Sequence, residues 1–346
     1  MRVLVAMSGG VDSSVAASLL VDAGHEVVGA TLKLWGGPSD SGCCSVADVD
    51  DARRVADQIG VAHHVFNFTD DFDASVVLPY VEDHAAGRTP NPCIECNRHI
   101  KFGRLLERAR RLGFDALATG HHARVDGDDG HRRLRRGADR AKDQSYVLSM
   151  LGGADLAQIL LPVGALTKAE VRAHASGRGL RTADKPDSQD VCFIGSVEGR
   201  RGFLGDRLAL HAGEIVDGGT GAVVGTVPAV ELVTVGQRRG LGVAVDGRRL
   251  YALTVDVEGR RVVVGGADAS WTEQVRVCRP SWVDRPLSPG SRAMAQTSAH
   301  GAAAPCTWLG DAVVFDRPHP LVAPGQTVAL YDENETDAVT GSAVAA

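Results

Sequence analysis

Three short segments carry residue types that bind anions or supply thiolates. The first is Ser8-Gly9-Gly10-Val11-Asp12-Ser13-Ser14, which follows a short apolar run and precedes a helical pattern. Glycines allow a tight turn that approaches a ligand closely, and helix-start amides and hydroxyl groups donate to an anion. The Gly-Lys-Ser/Thr ending of a Walker loop is absent, so no γ-phosphate clamp is implied. The pattern predicts a nucleotide-phosphate site; the alternative is an ordinary turn capped by aspartate.

The other two segments contain cysteines. Cys93-Ile94-Glu95-Cys96 precedes a basic helical pattern, and we expect Cys96 to lie just ahead of the helix start with basic side chains nearby. Both features favour the thiolate. Cys192 lies in the polar segment from Asp187 to Gly195. A Cys-x-x-Cys pair by itself fits a redox pair, a metal site or chance, and a single cysteine is more often buried and inert.

The 346 residues carry a net charge of −6, but this charge is unevenly distributed. Residues 98–142 contain 13 basic and six acidic side chains, a net charge of +7. Because screening confines electrostatic effects to about 8–10 Å, a basic block in an acidic protein can still bind phosphates. On charge alone this block is more often a solvated helix and hairpin, and a phosphate-binding face is the alternative. Lys142 and the strand Arg132–Arg136 are expected to contact phosphates only through the family resemblance given below.

The elements of the first 150 residues place the phosphate turn at the end of a buried strand. Arg2–Met7 is almost wholly apolar, as in a buried parallel strand. Alternating strand and helix patterns predict an α/β fold with a doubly wound parallel sheet. Thr167 and Glu170 have the spacing of a capping box and predict a helix that begins at Lys168. The other predicted helices are Asp12–Ala23, Val46–Ile59, Asp71–Ala85 and Ile100–Leu112, and the other predicted strands are Glu26–Leu34, Ala62–Asn67 and Ala116–Thr119.

Beyond residue 200 the chain is rich in Val and Gly and loses helical periodicity. We predict three domains, with a catalytic α/β domain at 1–200, a β-rich central domain at 201–270 and a C-terminal β-barrel at 271–346. The tail Asp332–Ala346 is polar and rich in small residues, so we expect part of it to be disordered. Cys278 and Cys306 are expected in the β core. Cys43 and Cys44 form a structural pair or, alternatively, an accessory redox or metal pair.

Composition limits the class of protein. Hydrophobic residues make up 44% and charged residues 23% of the chain, which is ordinary for a globular protein. No apolar run approaches the roughly 18 residues of a membrane helix, and the N-terminus lacks a signal-peptide pattern. We therefore expect a cytoplasmic monomer with no membrane contact. Its seven cysteines are expected to serve thiol, metal or redox chemistry rather than structural disulfides.

The sequence resembles the bacterial tRNA-specific 2-thiouridylases, the MnmA family of PP-loop ATP pyrophosphatases. The order Ser-Gly-Gly-x-Asp-Ser is that of the pyrophosphate loop of these enzymes, which adenylylate an oxygen and release pyrophosphate. The resemblance extends from the N-terminus to about residue 330. It is carried by Ser8–Ser14, Gly87-Arg88-Thr89-Pro90-Asn91-Pro92, Cys96-Asn97, Ile100-Lys101-Phe102, Ala118-Thr119-Gly120-His121, Lys142-Asp143-Gln144-Ser145-Tyr146, Cys192-Phe193-Ile194-Gly195 and Gly236-Gln237-Arg238-Arg239-Gly240-Leu241-Gly242.

The resemblance implies a reaction and its participants. ATP, with Mg²⁺, adenylylates the oxygen at position 2 of the wobble uracil of tRNA, and a persulfide sulfur then displaces AMP. Cys192 is implied as the persulfide carrier and Cys96 as the nucleophile that resolves it, with a disulfide between the two after sulfur release. A cysteine desulfurase or a sulfur-relay protein is implied as the sulfur donor.

The resemblance also implies the binding residues. ATP is implied at Ala6, Met7, Ser8, Gly9, Gly10, Val11, Asp12, Ser13, Leu32 and Gly120. The segment that faces the target base is implied to be Asn91, Pro92 and Cys93, and further tRNA contacts are implied at His121, Lys142, Asp143, Gln144 and Gln326.

The sequence departs from the family at two points. Many members have aspartate, as an acid or base, at the position of Cys93, so that role is vacant here or differently filled. An alternative is a 4Fe–4S cluster with three cysteine ligands, Cys93, Cys96 and Cys192, and one open iron that binds sulfide. Thr297-Ser298-Ala299-His300 stands where arginine-rich sequence is usual, so the barrel is expected to contribute less to tRNA binding.

Two other function classes remain open on sequence grounds. One is a PP-loop amide ligase for a small molecule, such as an argininosuccinate or GMP synthetase, which does not need Cys96 or Cys192. The other is a catalytically silent module that binds tRNA or a nucleotide. Release of pyrophosphate that depends on tRNA excludes the silent module.

Overall fold

The computed structural model describes residues 1–35, 45–128, 131–187, 191–195, 198–242, 247 and 249–346. Cys43 and Cys44 lie outside the described residues. The described strands form three sheets of five, four and eight strands. None of the helices in the described part of the chain combines the length and apolar character needed to span a membrane.

The N-terminal part contains seven strands and nine helices among its described residues. The strands are β1 (Arg2–Ala6), β2 (Glu26–Lys33), β3 (Ala62–Asn67), β4 (Ala116–Ala118), β5 (Ala123–Asp126), β6 (Arg133–Arg136) and β7 (Ile159–Leu160). The helices are α1 (Val11–Asp22), α2 (Val46–Ile59), α3 (Thr69–Phe72), α4 (Leu78–Ala85), α5 (Pro92–Glu95), α6 (Leu106–Arg111), α7 (Ser145–Leu148), α8 (Gly153–Leu156) and α9 (Lys168–Gly177). π-Helical turns at Asp73–Val77 and Cys96–Leu105 join α3 to α4 and α5 to α6.

A parallel sheet with the order β3-β2-β1-β4-β7 organises this part, and the predicted fold class is confirmed. β1 is central because four of its five residues are buried and apolar. Its Leu4 faces one core and its Val3 and Val5 face the other, so helices cover both sides of the sheet. The predicted capping box is present, with the Thr167 side chain accepting from Glu170 N and the Glu170 side chain accepting from Thr167 N.

The central and C-terminal parts are β-rich, as predicted. α10 (Gly199–Gly205) precedes a sheet with the order β10-β11-β8-β9, formed by β8 (Gly213–Asp217), β9 (Val223–Val227), β10 (Tyr251–Asp256) and β11 (Arg261–Gly265). The last six strands close into an antiparallel barrel because the first pairs with the last as well as with its neighbour. They are β12 (Trp271–Trp282), β13 (Arg292–Gln296), β14 (Ala304–Trp308), β15 (Ala312–Pro320), β16 (Thr327–Tyr331) and β17 (Ala338–Ala345).

The hairpin β5–β6 of the N-terminal part extends the barrel sheet. β6 pairs with β17, with Leu134 opposite Val339 and Arg135 opposite Ala338. Arg135 donates to Glu335 and Asp337, and Arg136 lies 3.7 Å from the Tyr331 ring centre. Arg135 and Arg136 of this strand therefore attach the hairpin to the barrel. Arg133, Arg135 and Arg136 each pair with a carboxylate within the chain, which the sequence analysis did not anticipate, and contact of this strand with phosphates stays a prediction.

Two expectations about the C-terminal part were wrong. The tail contains β17, whose residues are almost all buried between β12 and β16. Small side chains allow neighbouring strands to pack closely there, which a composition typical of disorder does not reveal. Cys278 is exposed on the barrel rather than buried, whereas Cys306 is buried as predicted.

We expect Asp337→Asn to weaken the joint between the hairpin and the barrel. The Asp337 carboxylate accepts from Arg124 and Arg135, each at 2.8 Å, and loses its charge in the variant. Loss of charge-assisted hydrogen bonds costs roughly 1–3 kcal/mol, so the melting temperature should fall by a few degrees. Glu333→Gln is the matched control because Glu333 pairs with Arg292 inside the barrel. Equal melting shifts in the two variants would contradict a special role for this joint.

Candidate active site

The turn after β1 has the geometry of an anion site. α1 begins at Val11, so Gly10 stands at its N-terminal cap. The Ser8 amide donates to Ser13 Oγ at 3.2 Å, and the hydroxyl groups of Ser13 and Ser14 donate to the Gly10 carbonyl. These contacts fold the turn back on the first helical residues, where unpaired helix-start amides favour negative charge.

Two glycines let other backbone segments approach this turn. Gly9 has φ +72°, and a Cβ at this position would lie 2.3 Å from the Asp48 carbonyl oxygen in the first turn of α2. Gly120 follows β4, and a Cβ there would lie 2.5 Å from the Ser13 amide nitrogen. A side chain at either position would push the turn away from its neighbours. Lys185 secures the same region by donating to the Gly9 carbonyl at 2.9 Å and to Asp48.

A charged network adjoins the turn. Asp12 accepts both from Lys168, at 2.7 and 2.8 Å, and from His122 at 3.2 Å. Burial opposes ionisation of Asp12, but the hydrogen bonds from His122 and Lys168 lower its pKa below the usual value. Lys168 also contacts Asp187 at 2.7 Å. The turn is thereby connected to the segment that leads to Cys192.

Asp187 is the meeting point of three cations. Lys142, Lys168 and Arg172 lie 2.8, 2.7 and 3.0 Å from its carboxylate. Burial opposes ionisation, but the hydrogen bonds from Lys142 and Lys168 lower the pKa of Asp187 to about 2. The sequence analysis did not identify Asp187, Lys168, Arg172 or Lys185 as site residues. The capping box marked Lys168 only as the start of a helix, and no local pattern reveals that it reaches Asp12.

The first cysteine pair lies on a continuous helical path. The Asn91 side chain caps α5 by accepting from Cys93 N at 3.1 Å. Cys93 therefore lies in the first turn and is exposed, whereas Cys96 follows α5 and is buried. The expectation that Cys96 precedes a helix start was wrong, because the helical path begins one turn earlier, at Pro92.

Cys192 is half-buried next to an aromatic cluster. The ring of Phe193 lies 5.5 Å from Phe72 and 5.6 Å from Tyr80, which anchors the segment. Val191 and Ile194 line a cavity of about 400 Å³ together with Thr89, Pro90 and Pro92. The two cysteine segments thus border one cavity. Cys96 belongs to a buried hydrophobic cluster, and Cys192 packs against the same cluster.

The residues of the iron–sulfur alternative do not fit a cluster in this arrangement. Within the described ranges, no group of three or more His, Cys, Asp or Glu side chains is placed to hold a metal ion. Cys93, Cys96 and Cys192 all lie within those ranges.

Most residues implied as tRNA contacts have partners inside the chain. Asp143 accepts from Arg136 and from the Ser145 hydroxyl, and its side chain is only 6% exposed. The Gln144 side chain accepts from the His122 amide at 2.8 Å, and Gln326 donates to the Thr89 carbonyl. His121 is buried beside Thr119, and burial lowers its pKa well below the usual value. Gln326 thus ties the barrel to the loop that leads into α5, the helix of Cys93.

Comparison with known proteins places the chain in a family. A family model described as "tRNA methyl transferase HUP domain" matches residues 1–196, and one described as "tRNA methyl transferase PRC-barrel domain" matches residues 201–266. A tRNA-specific 2-thiouridylase MnmA of Salinispora arenicola is 47% identical over 360 residues, covering 100% of this chain and 99% of the relative. This chain belongs to the tRNA-specific 2-thiouridylase family. The family resemblance inferred from the motifs is confirmed.

A second curated relative agrees with this membership. The 2-thiouridylase MnmA of Saccharopolyspora erythraea is 46% identical, again over 100% of this chain and 99% of the relative. The solved "4-thiouridine synthetase - RNA complex with bound ATP" covers 56% of this chain and 44% of that chain at 18% identity, with a TM-score of 0.38, a likeness too low to inform function. The PP-loop fold of the family implies ATP as a substrate of the N-terminal part.

Proposed function

We propose that the chain is an ATP-dependent tRNA-uridine 2-sulfurtransferase that thiolates position 2 of the wobble uridine. The observation that carries this proposal is the end-to-end match with relatives named tRNA-specific 2-thiouridylase, at 46–47% identity. The reaction has two steps, activation of the base by ATP and transfer of sulfur. The substrate is tRNA, and the sulfur donor is a cysteine desulfurase or a sulfur-relay protein.

In the first step the turn at Ser8–Ser13 holds the pyrophosphate end of ATP. The uracil O2 attacks the α-phosphorus, the bond to the pyrophosphate breaks, N3 gives up its proton to solvent, and an O-adenylylated base forms. The backbone donors at the start of α1 support this role, since they stabilise the charge that develops on the departing pyrophosphate. Ala6, Met7, Leu32 and Gly120 complete the proposed ATP site. Mg²⁺ would be held mainly by ATP phosphates with one carboxylate, and it would neutralise phosphate charge.

In the second step sulfur replaces the activated oxygen. The terminal sulfur of a Cys192 persulfide attacks C2 of the base, and AMP leaves with the oxygen. The Cys96 thiolate then attacks Sγ of Cys192, which releases 2-thiouridine and leaves a Cys96–Cys192 disulfide. The sulfane sulfur gains two electrons and the two thiols lose two, so an external thiol must reduce the disulfide before the next cycle. Placement of both cysteine segments around one cavity supports this sequence.

The implied tRNA contacts divide into two groups. Asn91, Pro92, Cys93 and Lys142 are proposed to face the RNA, and Lys142 does so with a side chain that is 39% exposed and also contacts Asp187 at 2.8 Å. For His121, Asp143, Gln144 and Gln326, the contacts inside the chain support a positioning role for the segments that touch it. We further propose that the chain acts as a cytoplasmic monomer with domains at 1–200, 201–270 and 271–346.

The decisive experiment incubates the protein with ATP, a persulfide donor and unmodified tRNA. We expect 2-thiouridine in the nuclease digest and one pyrophosphate released for each base thiolated. Pyrophosphate release should stop when the wobble uridine is replaced by cytidine. The O2 atom that attacks ATP belongs to an imide in uracil but not in cytosine. Pyrophosphate release without tRNA, driven by a small-molecule amine or acid, would instead support the amide-ligase alternative.

A further inference from the structure

Asp187 contacts more cations than one carboxylate neutralises. Lys142, Lys168 and Arg172 lie 2.8, 2.7 and 3.0 Å from its oxygens, so three positive charges face one negative charge. The four side chains are between 12% and 39% exposed, which leaves the cluster open to solvent and to a ligand. An excess of positive charge at an accessible site attracts anions.

Lys168 belongs both to this cluster and to the phosphate turn. Its Nζ lies 2.7 and 2.8 Å from the carboxylate oxygens of Asp12, the second residue of α1. The helix-start amides that favour an anion lie at the same end of α1. An ammonium group on a flexible stem has three N–H donors, so Lys168 can turn from a carboxylate to a phosphate without movement of α9.

The other two cations make the contact between Lys168 and Asp187 replaceable. If Lys168 leaves, Lys142 and Arg172 still compensate the carboxylate, so no partly buried charge is left unpaired. Arg172 also donates to two carbonyl oxygens of the segment that leads to Asp187, at 2.6 and 3.0 Å, which keeps its guanidinium in place. The cluster therefore permits one cation to leave at little cost.

We propose that Asp187 is a positioning residue that stands in for a phosphate group, holding Lys168 beside the turn before nucleotide binds and releasing it to the phosphates of ATP. This inference rests on the proposed function and extends it at the ATP site. No covalent bond changes, because one ion pair of Lys168 is exchanged for another. Asp187 thus competes with ATP for a cation and recovers that cation when pyrophosphate leaves.

The direction of the effect separates this role from a structural one. Removal of a competitor strengthens the binding of phosphates, whereas removal of a residue that only supports the site weakens it. A carboxylate that holds Mg²⁺ for ATP would also weaken binding when removed, but only when Mg²⁺ is present. Adenosine has no phosphate groups, so the competition does not affect it.

The test compares Asp187→Asn with the matched control Asp139→Asn. Both variants lose one negative charge near Lys168. Asp187 contacts the ammonium group of Lys168, whereas Asp139 accepts from its backbone amide at 3.0 Å. Isothermal titration calorimetry without tRNA gives the affinities for ATP, pyrophosphate and adenosine, each with Mg²⁺ and with EDTA. Thermal melting checks that each variant is folded.

We expect Asp187→Asn to bind ATP and pyrophosphate about 10-fold more tightly than the unsubstituted protein, the size of one charge-assisted hydrogen bond. Its affinity for adenosine should be unchanged, and Asp139→Asn should bind ATP within about 3-fold of the unsubstituted protein. Unchanged or weaker binding of ATP by folded Asp187→Asn would overturn the inference, with or without Mg²⁺. An equal gain in Asp139→Asn would also overturn it, since nearby charge alone would then explain the effect.

A measurement on the unsubstituted protein applies if Asp187→Asn does not fold. The chain has five lysines, so the signals of protein labelled with ¹³C at lysine Cε are few enough to resolve by NMR. Lys168→Arg identifies the signal of Lys168 by its loss. ATP and pyrophosphate should shift this signal and adenosine should not. A Lys168 signal that does not respond to bound ATP would contradict the exchange.

Failure of this inference is distinguishable from failure of the proposed function. If the unsubstituted protein forms 2-thiouridine and Asp187→Asn binds ATP no more tightly, only the role of Asp187 is removed. If the unsubstituted protein forms no 2-thiouridine with ATP, tRNA and a persulfide donor, the proposed function itself is removed.

Discussion

Cys96→Ser is expected to form no detectable 2-thiouridine, a loss of at least roughly 1,000-fold, while it still releases pyrophosphate in the presence of tRNA. A serine hydroxyl is not ionised at neutral pH and cannot attack the Cys192 persulfide as a thiolate does. Adenylylation precedes every thiol step in the proposed sequence, so the first half-reaction should survive. Thiouridine in the digest and pyrophosphate in solution are measured in the same reaction.

Cys278→Ser is the matched control for this loss. Cys278 is an exposed cysteine on the barrel, so its substitution removes one thiol without touching the cavity. It should leave both products unchanged. Because Cys96 is 7% exposed, a melting curve must accompany the variant to show that a buried hydroxyl has not unfolded the chain. Thiolation that persists in folded Cys96→Ser would remove Cys96 from the mechanism.

A third cysteine variant separates the persulfide relay from the iron–sulfur alternative. The relay uses only Cys96 and Cys192, so Cys93→Ser should still thiolate tRNA. A cluster with three cysteine ligands would lose its iron in that variant. Iron and labile sulfide measured on anaerobically purified protein, beside the thiolation assay, distinguish the two. Loss of both iron and activity in Cys93→Ser would favour the cluster.

Local features of the fold were predictable because they depend on periodicity within one element. The predicted helix Val46–Ile59 and strand Ala62–Asn67 agree with the structure residue for residue, and the strand–turn–helix order around Ser8–Ser14 is also as predicted. Apolar spacing and glycine placement are properties of a few consecutive residues. They determine which face is buried and where the backbone turns, independently of distant segments.

Features that depend on contacts between distant segments were not predictable in this way. The Arg135 side chain is basic and near other basic residues, which suggests phosphate, yet it pairs with residues about 200 positions later. Lys142, Lys168 and Arg172 meet at Asp187 through tertiary packing. Lys168 and Arg172 lie on α9, and Lys142 and Asp187 come from two other segments.

Gly9→Ala is expected to reduce ATP-dependent pyrophosphate release by roughly 100-fold. A methyl group at this position would lie 2.3 Å from the Asp48 carbonyl oxygen. That oxygen belongs to the first turn of α2, whose Asp48 carboxylate is held by Lys185 at 2.6 Å, so the turn rather than the helix must move. A displaced turn no longer aims its amides at the phosphates of ATP. The effect is measured as the rate of pyrophosphate release at saturating tRNA.

Gly24→Ala separates this clash from ordinary backbone strain. Gly24 has φ +79°, close to the +72° of Gly9, but nothing lies within 4 Å of the Cβ position. Both variants therefore bear the cost of a non-glycine residue in the left-handed region, roughly 1–2 kcal/mol. Only Gly9→Ala adds a contact that displaces the phosphate turn. Equal losses of activity in the two variants would mean that strain alone is responsible, and that the close approach of α2 does not shape the ATP site.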